Sequence, residues 1–318
     1  MVRPVLREQL PHTLRETDFS ALGTRYRGKV RDTYAREDRL VLITTDRLSA
    51  FDRVLTTIPF KGEILNRLTN WWFERTKHIV ANHLLEQPDP NVAVARRCTP
   101  FPIEVVVRGY LTGSLWRDYQ SGTHTAYDVP FPKGMRKDQR FERPIVTPAT
   151  KETGGAHDQP ISEKEILARG MVSERDWRRA REAALGLFEE GQKQAAARGL
   201  ILVDTKYEFG TQGGEVYLID EMHTPDCSRY WIASEYAARF RSGDDQQMLD
   251  KENIRQWLIK ERNWSGHGEP PEIPDTVRVD LAEKYATAYE RITGEPLVLK
   301  AGDALQRIRK NLAARGYL

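Results

Sequence analysis

An α+β fold in two lobes is predicted by three observations on this 318-residue chain. The first 60 residues carry short β-branched runs separated by turn residues, and the rest mixes strands and helices without the strict alternation of a βαβ sheet. A length of 318 residues favours two lobes over one compact core. Pro88, Pro90, Pro100 and Pro102 break the chain on either side of a short strand, so the boundary is placed there, with residues 1–104 as a β-rich lobe and residues 105–318 as a larger α+β lobe.

In chain order, residues 26–35 and 40–45 read as the strands of a hairpin closed around 36–39. Residues 62–81 place Ile64, Leu65, Leu68, Trp72 and Ile79 near helical spacing. Another strand starts at residues 103–107. Residues 123–148 are rich in Pro, Gly and charge and are expected to be an excursion with little regular structure. Ser162 ahead of Glu163 and Glu165 marks a helix start, and Ser173 starts a second helix running to residue 194. Two strands follow at 202–221, and 235–240, 253–259 and 281–292 read as helical pieces.

Composition removes several function classes. No apolar stretch reaches the ~18 to 20 residues of a membrane span, and the N-terminal MVRPVLREQLPHTLRETDF has no apolar signal core, so a cytoplasmic protein is expected. Cys98 and Cys227 cannot form a disulfide framework. The nearest histidine pair, His78 and His83, is spaced i,i+5, which suits zinc poorly. With 49 basic and 46 acidic residues the surface is mixed, which argues against a nucleic-acid footprint.

The stretch LVDTKYEFGTQGGEVYLIDE at 202–221 has Asp204, Lys206 and Glu208 at alternate positions, so in a strand all three share one face. That face is either solvated surface or the floor of a site that handles charge. If residues 210–214 form the loop, Phe209 pairs with Glu215 and Asp220 falls opposite Asp204. Glu208 and Asp220, the pair suited to Mg²⁺, then stand four strand positions apart, about 13 Å at ~3.3 Å per residue.

Five further stretches carry candidate chemistry. In YRGKVRDTY, Gly28 permits close backbone approach, and Lys29 and Arg31 point the same way along a strand, as a polyphosphate requires. TDRLSAFD sets Asp46, Ser49 and Asp52 around a turn. VVVRGYLTGSLW leads a buried strand into Arg108 beside Ser114, a phosphate clamp in outline. PIVTPATKETGGAHD holds Lys151 between prolines and glycines, and TPDCSRYW turns at Pro225 with Asp226, Ser228 and Arg229.

Together with IPFKGEIL at 58–65, LDKENIRQWL at 249–258 and YERITGEPL at 289–297, these motifs resemble the SAICAR synthetase family over nearly the whole chain. Cys227 stands where the family often has Ser, and Phe60 and Leu115 where small residues are common; no charged group is lost. The resemblance implies a nucleotide cleft under an N-terminal lobe similar to a kinase's. It also implies an ATP-dependent ligase of purine biosynthesis that joins L-aspartate to the carboxylate of 5-aminoimidazole-4-carboxyribonucleotide (CAIR) through an acyl phosphate. By motif, Gly28, Lys29, Arg31 and Lys151 would take the ATP phosphates, and Glu208 and Asp220 the Mg²⁺. Adenine would lie near residues 98–104. Arg108, Ser114 and Arg229 would clamp the ribose phosphate, and Lys206 would neutralise the carboxylate. Lys206, Asp220 and Lys151 would be catalytic, Ser49 and Asp52 would face the substrate, and Asp226 or Lys206 would meet aspartate. A small-molecule kinase acting on a phosphorylated carboxylate acceptor is the alternative, and an RNA-binding module is disfavoured by charge balance. Small molecules are the expected partners, with monomer and homodimer both open.

Overall fold

The computed structural model describes residues 2–51, 53–151, 158–249 and 252–318. It begins with helix α1 (Arg3–Glu8), strands β1 (Thr24–Arg27), β2 (Arg31–Ala35), β3 (Arg39–Thr44), β4 (Arg47–Ala50) and β5 (Arg53–Thr57), helix α2 (Lys61–Thr76) and strands β6 (Leu84–Asp89) and β7 (Val92–Arg96). Then come β8 (Thr99–Leu111), α3 (Gly113–Ser121), β9 (Gln139–Val146), β10 (Ala149–Thr150), α4 (Glu163–Ala168) and α5 (Glu174–Ala196). The chain closes with β11 (Leu200–Gln212), β12 (Glu215–Ile219), β13 (Ser228–Ile232), α6 (Ala233–Ser242), α7 (Glu252–Arg262), α8 (Asp275–Thr293) and α9 (Ala304–Ala314). The fold is α+β, as the unalternated pattern predicts.

Two antiparallel sheets organise it. The first has the order β1-β2-β3-β7-β6. Tyr34, Val41, Ile43, Val92 and Val94 form one face and pack on Leu14, Phe19 and Leu22 and on Ala304, Ile308 and Leu312 of α9, so the end of the chain folds back over the first sheet. In the second sheet the long strands β8 and β11 pair centrally, flanked by β9, β10, β12 and β13. Alternation along β8 buries Phe101, Ile103, Val105 and Val107 in the main core, joined from β11 by Tyr207 and Phe209. Helix α5 covers that face with Ala180, Ala184, Leu187 and Phe188. Its start follows from Ser173, whose hydroxyl accepts from the Asp176 amide, and Ser162 caps α4 through Glu165 in the same way.

Four expectations change. Residues 26–35 form two strands joined by a turn at 28–30, so Lys29 and Arg31 do not lie along one strand. Residues 45–52 contain β4, paired with β5, rather than only a turn. Residues 139–146 of the supposed excursion 123–148 form β9, which among the described residues pairs with β8 alone; an edge position tolerates Pro144, and this hides the strand from composition. The boundary expected at 104/105 lies inside β8, which belongs wholly to the second sheet; the chain leaves the first sheet after Arg96 and enters the second at Thr99.

Candidate active site

The hairpin β11–β12 turns on Gly213 and Gly214 alone, at φ 61° and 83°, which is the two-residue type I′ geometry that glycines adopt without penalty. Phe209 therefore faces Leu218, not Glu215, and Glu208 faces Ile219. Asp220 follows directly, next to Glu208 across the hairpin rather than four positions away. It sits at φ 68°, a left-handed conformation that Asp tolerates better than most residues. Asp204 lies opposite Arg108 of β8 on one side and Arg229 of β13 on the other. The expected pairing of Asp204 with Asp220 is thus replaced by an acid between two cations.

The charged face of β11 continues onto β8, where Glu104 is in register with Glu208. Lys206 Nζ reaches Glu104 Oε1 at 2.6 Å and Glu208 Oε1 at 3.3 Å. Lys151 pairs with the other oxygen of Glu208. From the first sheet Arg31 pairs with Asp220 and approaches Glu221 at 3.5 Å. Burial works against charge on Asp220, but Arg31, Lys206 and Lys151 outweigh it and hold the carboxyl down to about 2. Burial likewise opposes the Lys206 ammonium, yet Glu208, Glu104 and Asp220 keep it protonated above the ordinary lysine value. Glu104 moves up because of burial, with Lys206 only partly compensating. Burial also raises Glu221 against the pull of Arg31.

These groups line a cleft of about 980 Å³ between the two sheets. Gly28, Lys29 and Arg31 form part of one wall and Lys151, Lys206, Glu208 and Asp220 part of the other. Leu40, Leu42, Phe101 and Ile219 make an apolar portion beside Cys98 and Pro100. Among the described residues no cluster of three or more His, Cys, Asp or Glu side chains forms a metal site by itself. Glu208 and Asp220 nevertheless fit the donor set Mg²⁺ takes, one or two carboxylates completed by phosphate oxygens and water.

The second cationic group begins one side-chain position further along β11. Arg229 Nη1 lies 2.5 Å from Asp204 Oδ2, and Arg108 Nη1 lies 3.7 Å from the same oxygen. Arg108 also donates to Thr147 Oγ1 at 2.7 Å and to Ser114 Oγ at 3.4 Å. Gly113 opens α3 at φ 59°, and a Cβ there would stand 2.7 Å from the Arg229 guanidinium, so glycine makes room for that side chain. Arg108, Ser114 and Arg229 are thus brought together, adjacent to the cleft rather than on its lining.

Ser49 and Asp226 reach the cleft wall. The two Asp226 oxygens are engaged by Lys61 Nζ at 2.8 Å and by the Tyr285 hydroxyl, which donates at 2.6 Å. Asp52 lies outside the described residues. Sequence reasoning gave no role to Asp204, Glu104, Glu221 or Lys61. Glu104 had a readable signal, since it precedes Arg108 by four in a strand whose intervening odd positions are apolar.

A family model described as SAICAR synthetase matches residues 24–271. The phosphoribosylaminoimidazole-succinocarboxamide synthase of Legionella pneumophila (strain Paris) is 47% identical over 310 residues, covering 95% of this chain and 98% of that protein. The synthase of the same name from Bacteroides fragilis is 44% identical over 307 residues, again covering 95% and 98%. Among solved structures, the SAICAR synthase of Saccharomyces cerevisiae complexed with SAICAR superposes at a TM-score of 0.78 with 31% identity, over 90% of this chain and 100% of that one. A SAICAR synthetase in complex with ADP superposes at 0.66 with 26% identity, over 87% and 100%.

Proposed function

The chain belongs to the SAICAR synthetase family, and from that premise we propose how its cleft performs the family's reaction. That reaction is the ATP-dependent joining of L-aspartate to the carboxylate of CAIR, giving SAICAR, ADP and phosphate in purine biosynthesis. A carboxylate is a poor acceptor for an amine because it would have to expel oxide. Transfer of the γ-phosphoryl group to a carboxylate oxygen releases ADP and supplies a leaving group. The aspartate amine then attacks the acyl carbon, loses a proton, and phosphate departs.

One observation carries the assignment of roles. Lys206 stands on a single strand face between the acids Glu208 and Asp220 and the clamp of Asp204, Arg108 and Arg229. Nucleotide phosphates on the first side and the ribose phosphate of CAIR on the second would bring the CAIR carboxylate beside the ammonium, where it offsets charge during phosphorylation. Adenine lies against Leu40, Leu42 and the segment from Cys98 to Glu104. The turn carrying Gly28 and Lys29, with Arg31 and Lys151, surrounds the phosphates. Glu208 and Asp220 would hold Mg²⁺, which when bound neutralises phosphate oxygens during transfer. Ser49 and Asp226 lie toward the substrate side; Asp226, held by Lys61 and Tyr285, shapes that wall. The site lies between the first sheet and the second. Purine biosynthesis and the lack, among the described residues, of any helix long and apolar enough to cross a membrane support a cytoplasmic setting.

ADP release from ATP and Mg²⁺ with CAIR, measured with and without L-aspartate, tests the reading. Full turnover should need aspartate, and Lys206→Ala should lower kcat by roughly 10² to 10³. Turnover of Lys206→Ala near that of the unaltered enzyme would remove Lys206 from the mechanism.

A further inference from the structure

The turn between β1 and β2 is held from behind by side chains outside the cleft lining. Arg47 is 1% exposed and directs its guanidinium at four acceptors. Its Nε donates to Lys29 O at 3.1 Å, and Nη2 donates to Gly28 O at 3.0 Å and to Asp32 Oδ1 at 2.8 Å. Nη1 donates to Arg15 O at 2.6 Å. Thr45 takes the next carbonyl, donating from both its amide and its hydroxyl to Val30 O at 3.0 and 2.8 Å. Asp32, fully buried, is fixed in turn by the amide and hydroxyl of Thr17 at 2.7 and 3.0 Å.

Three consecutive carbonyls, those of Gly28, Lys29 and Val30, are therefore drawn to one side. A trans peptide points its N–H opposite to its C=O. With the carbonyls of Gly28 and Lys29 turned toward Arg47, the amides of Lys29 and Val30 point away from it, and these residues line the cleft. We propose that Arg47 is a positioning residue for ATP: it fixes the peptide planes of the 28–30 turn so that backbone amides, and not carbonyls, face the triphosphate. A lysine at this position cannot reproduce the planar fork that reaches two successive carbonyls and a carboxylate at once. The inference rests on the assignment of this turn to the ATP phosphates.

Calorimetric titration with MgATP and with adenosine, on the full chain, tests it in Lys29→Ala, Arg47→Lys and the double variant Arg47→Gln/Asp32→Asn. The double variant removes the buried charge pair together, so that a folded protein is available if the single one fails. Both Arg47 variants should weaken MgATP binding tenfold or more and leave adenosine binding and the KM for CAIR unchanged. Equal weakening of MgATP and adenosine would reduce Arg47 to a general structural role and overturn the proposal. MgATP weakened by Lys29→Ala, but not by either Arg47 variant, would overturn the positioning alone. If none of the three variants changed MgATP affinity, the assignment of the turn to phosphate would itself fall.

Discussion

Two positions of one strand separate Asp204 from Lys206, about 6.6 Å at ~3.3 Å per residue, and in the proposed reading this spacing sets the phosphate clamp apart from the reacting groups. Asp204 faces both Arg108 and Arg229, so it orients the two guanidiniums, which in the proposed reading also meet the ribose phosphate. A charge-assisted hydrogen bond contributes about 1.5–3 kcal/mol, equivalent to roughly 10- to 100-fold in affinity. Arg229→Ala is therefore expected to raise the KM for CAIR by that factor and to leave the KM for ATP near its starting value. Steady-state kinetics with each substrate varied in turn decides it. An unchanged KM for CAIR, or an equal rise for ATP, would dissociate Arg229 from the clamp.

At the scale of elements, the hairpin depends on its glycines. Gly213 and Gly214 both hold positive φ, so Gly213→Val should destabilise the protein by about 1–2 kcal/mol, whereas Gly213→Asn should be nearly neutral. Urea unfolding of both variants checks this, and equal midpoints would deny the turn its steric demand. The same turn shows where the sequence was legible. The Gly-Gly pair after a strand-like run was a hairpin signal in plain view, but Gly210 drew the loop three residues too early. In the fold Gly210 belongs to β11, where a Cβ would stand 2.8 Å from Thr99 O, so its glycine records the close crossing of β8 and not a turn. Helices with Ser caps and strands with alternating burial were readable because their determinants are local. The edge strand β9 and helix α9 were not, since β9 is made by pairing with β8 and α9 by packing on the first sheet. The charged face of β11 was visible by periodicity, but its partners Glu104, Arg31 and Arg229 come from three other strands. Lys61, Asp226 and Tyr285 meet from segments more than 50 residues apart, for which no local pattern exists.

Across the whole molecule, two neutral histidines sit where the sheets meet the helices. His83 lies at the seam: its amide donates to Leu218 O of β12 at 3.0 Å, and its carbonyl accepts from Arg96 of β7 at 2.8 Å. His223 packs edge-on to Trp72 of α2, and its Nε2 lies 2.5 Å from the Tyr207 hydroxyl. Burial pushes His83 down to about 4, with Asp220 opposing and Arg31 reinforcing, and burial pushes His223 down to about 3. An unfolded histidine titrates near 6.5, so below that pH the unfolded chain binds more protons than the folded one, and stability must fall as pH drops toward each folded value. Asp46 acts in the opposite sense. Burial raises it to about 6 against the amides of Gly62 and Leu14, so between roughly pH 4 and 6 the folded chain keeps a proton that the unfolded chain has lost. Asp220, held at about 2, contributes stability that begins to be lost only below the ordinary carboxylate range near pH 4. Burial also raises Glu104, Glu221 and Asp138, which act in the same sense as Asp46, so the histidine contribution is isolated by comparison with a variant that lacks one ring. From pH 7 to 4.5 the stability difference between the unaltered protein and His223→Gln, read from urea midpoints, should shrink, because only the unaltered protein loses the contribution of the neutral His223 ring. Parallel curves for the two proteins would mean that the His223 ring is not the proton acceptor on unfolding.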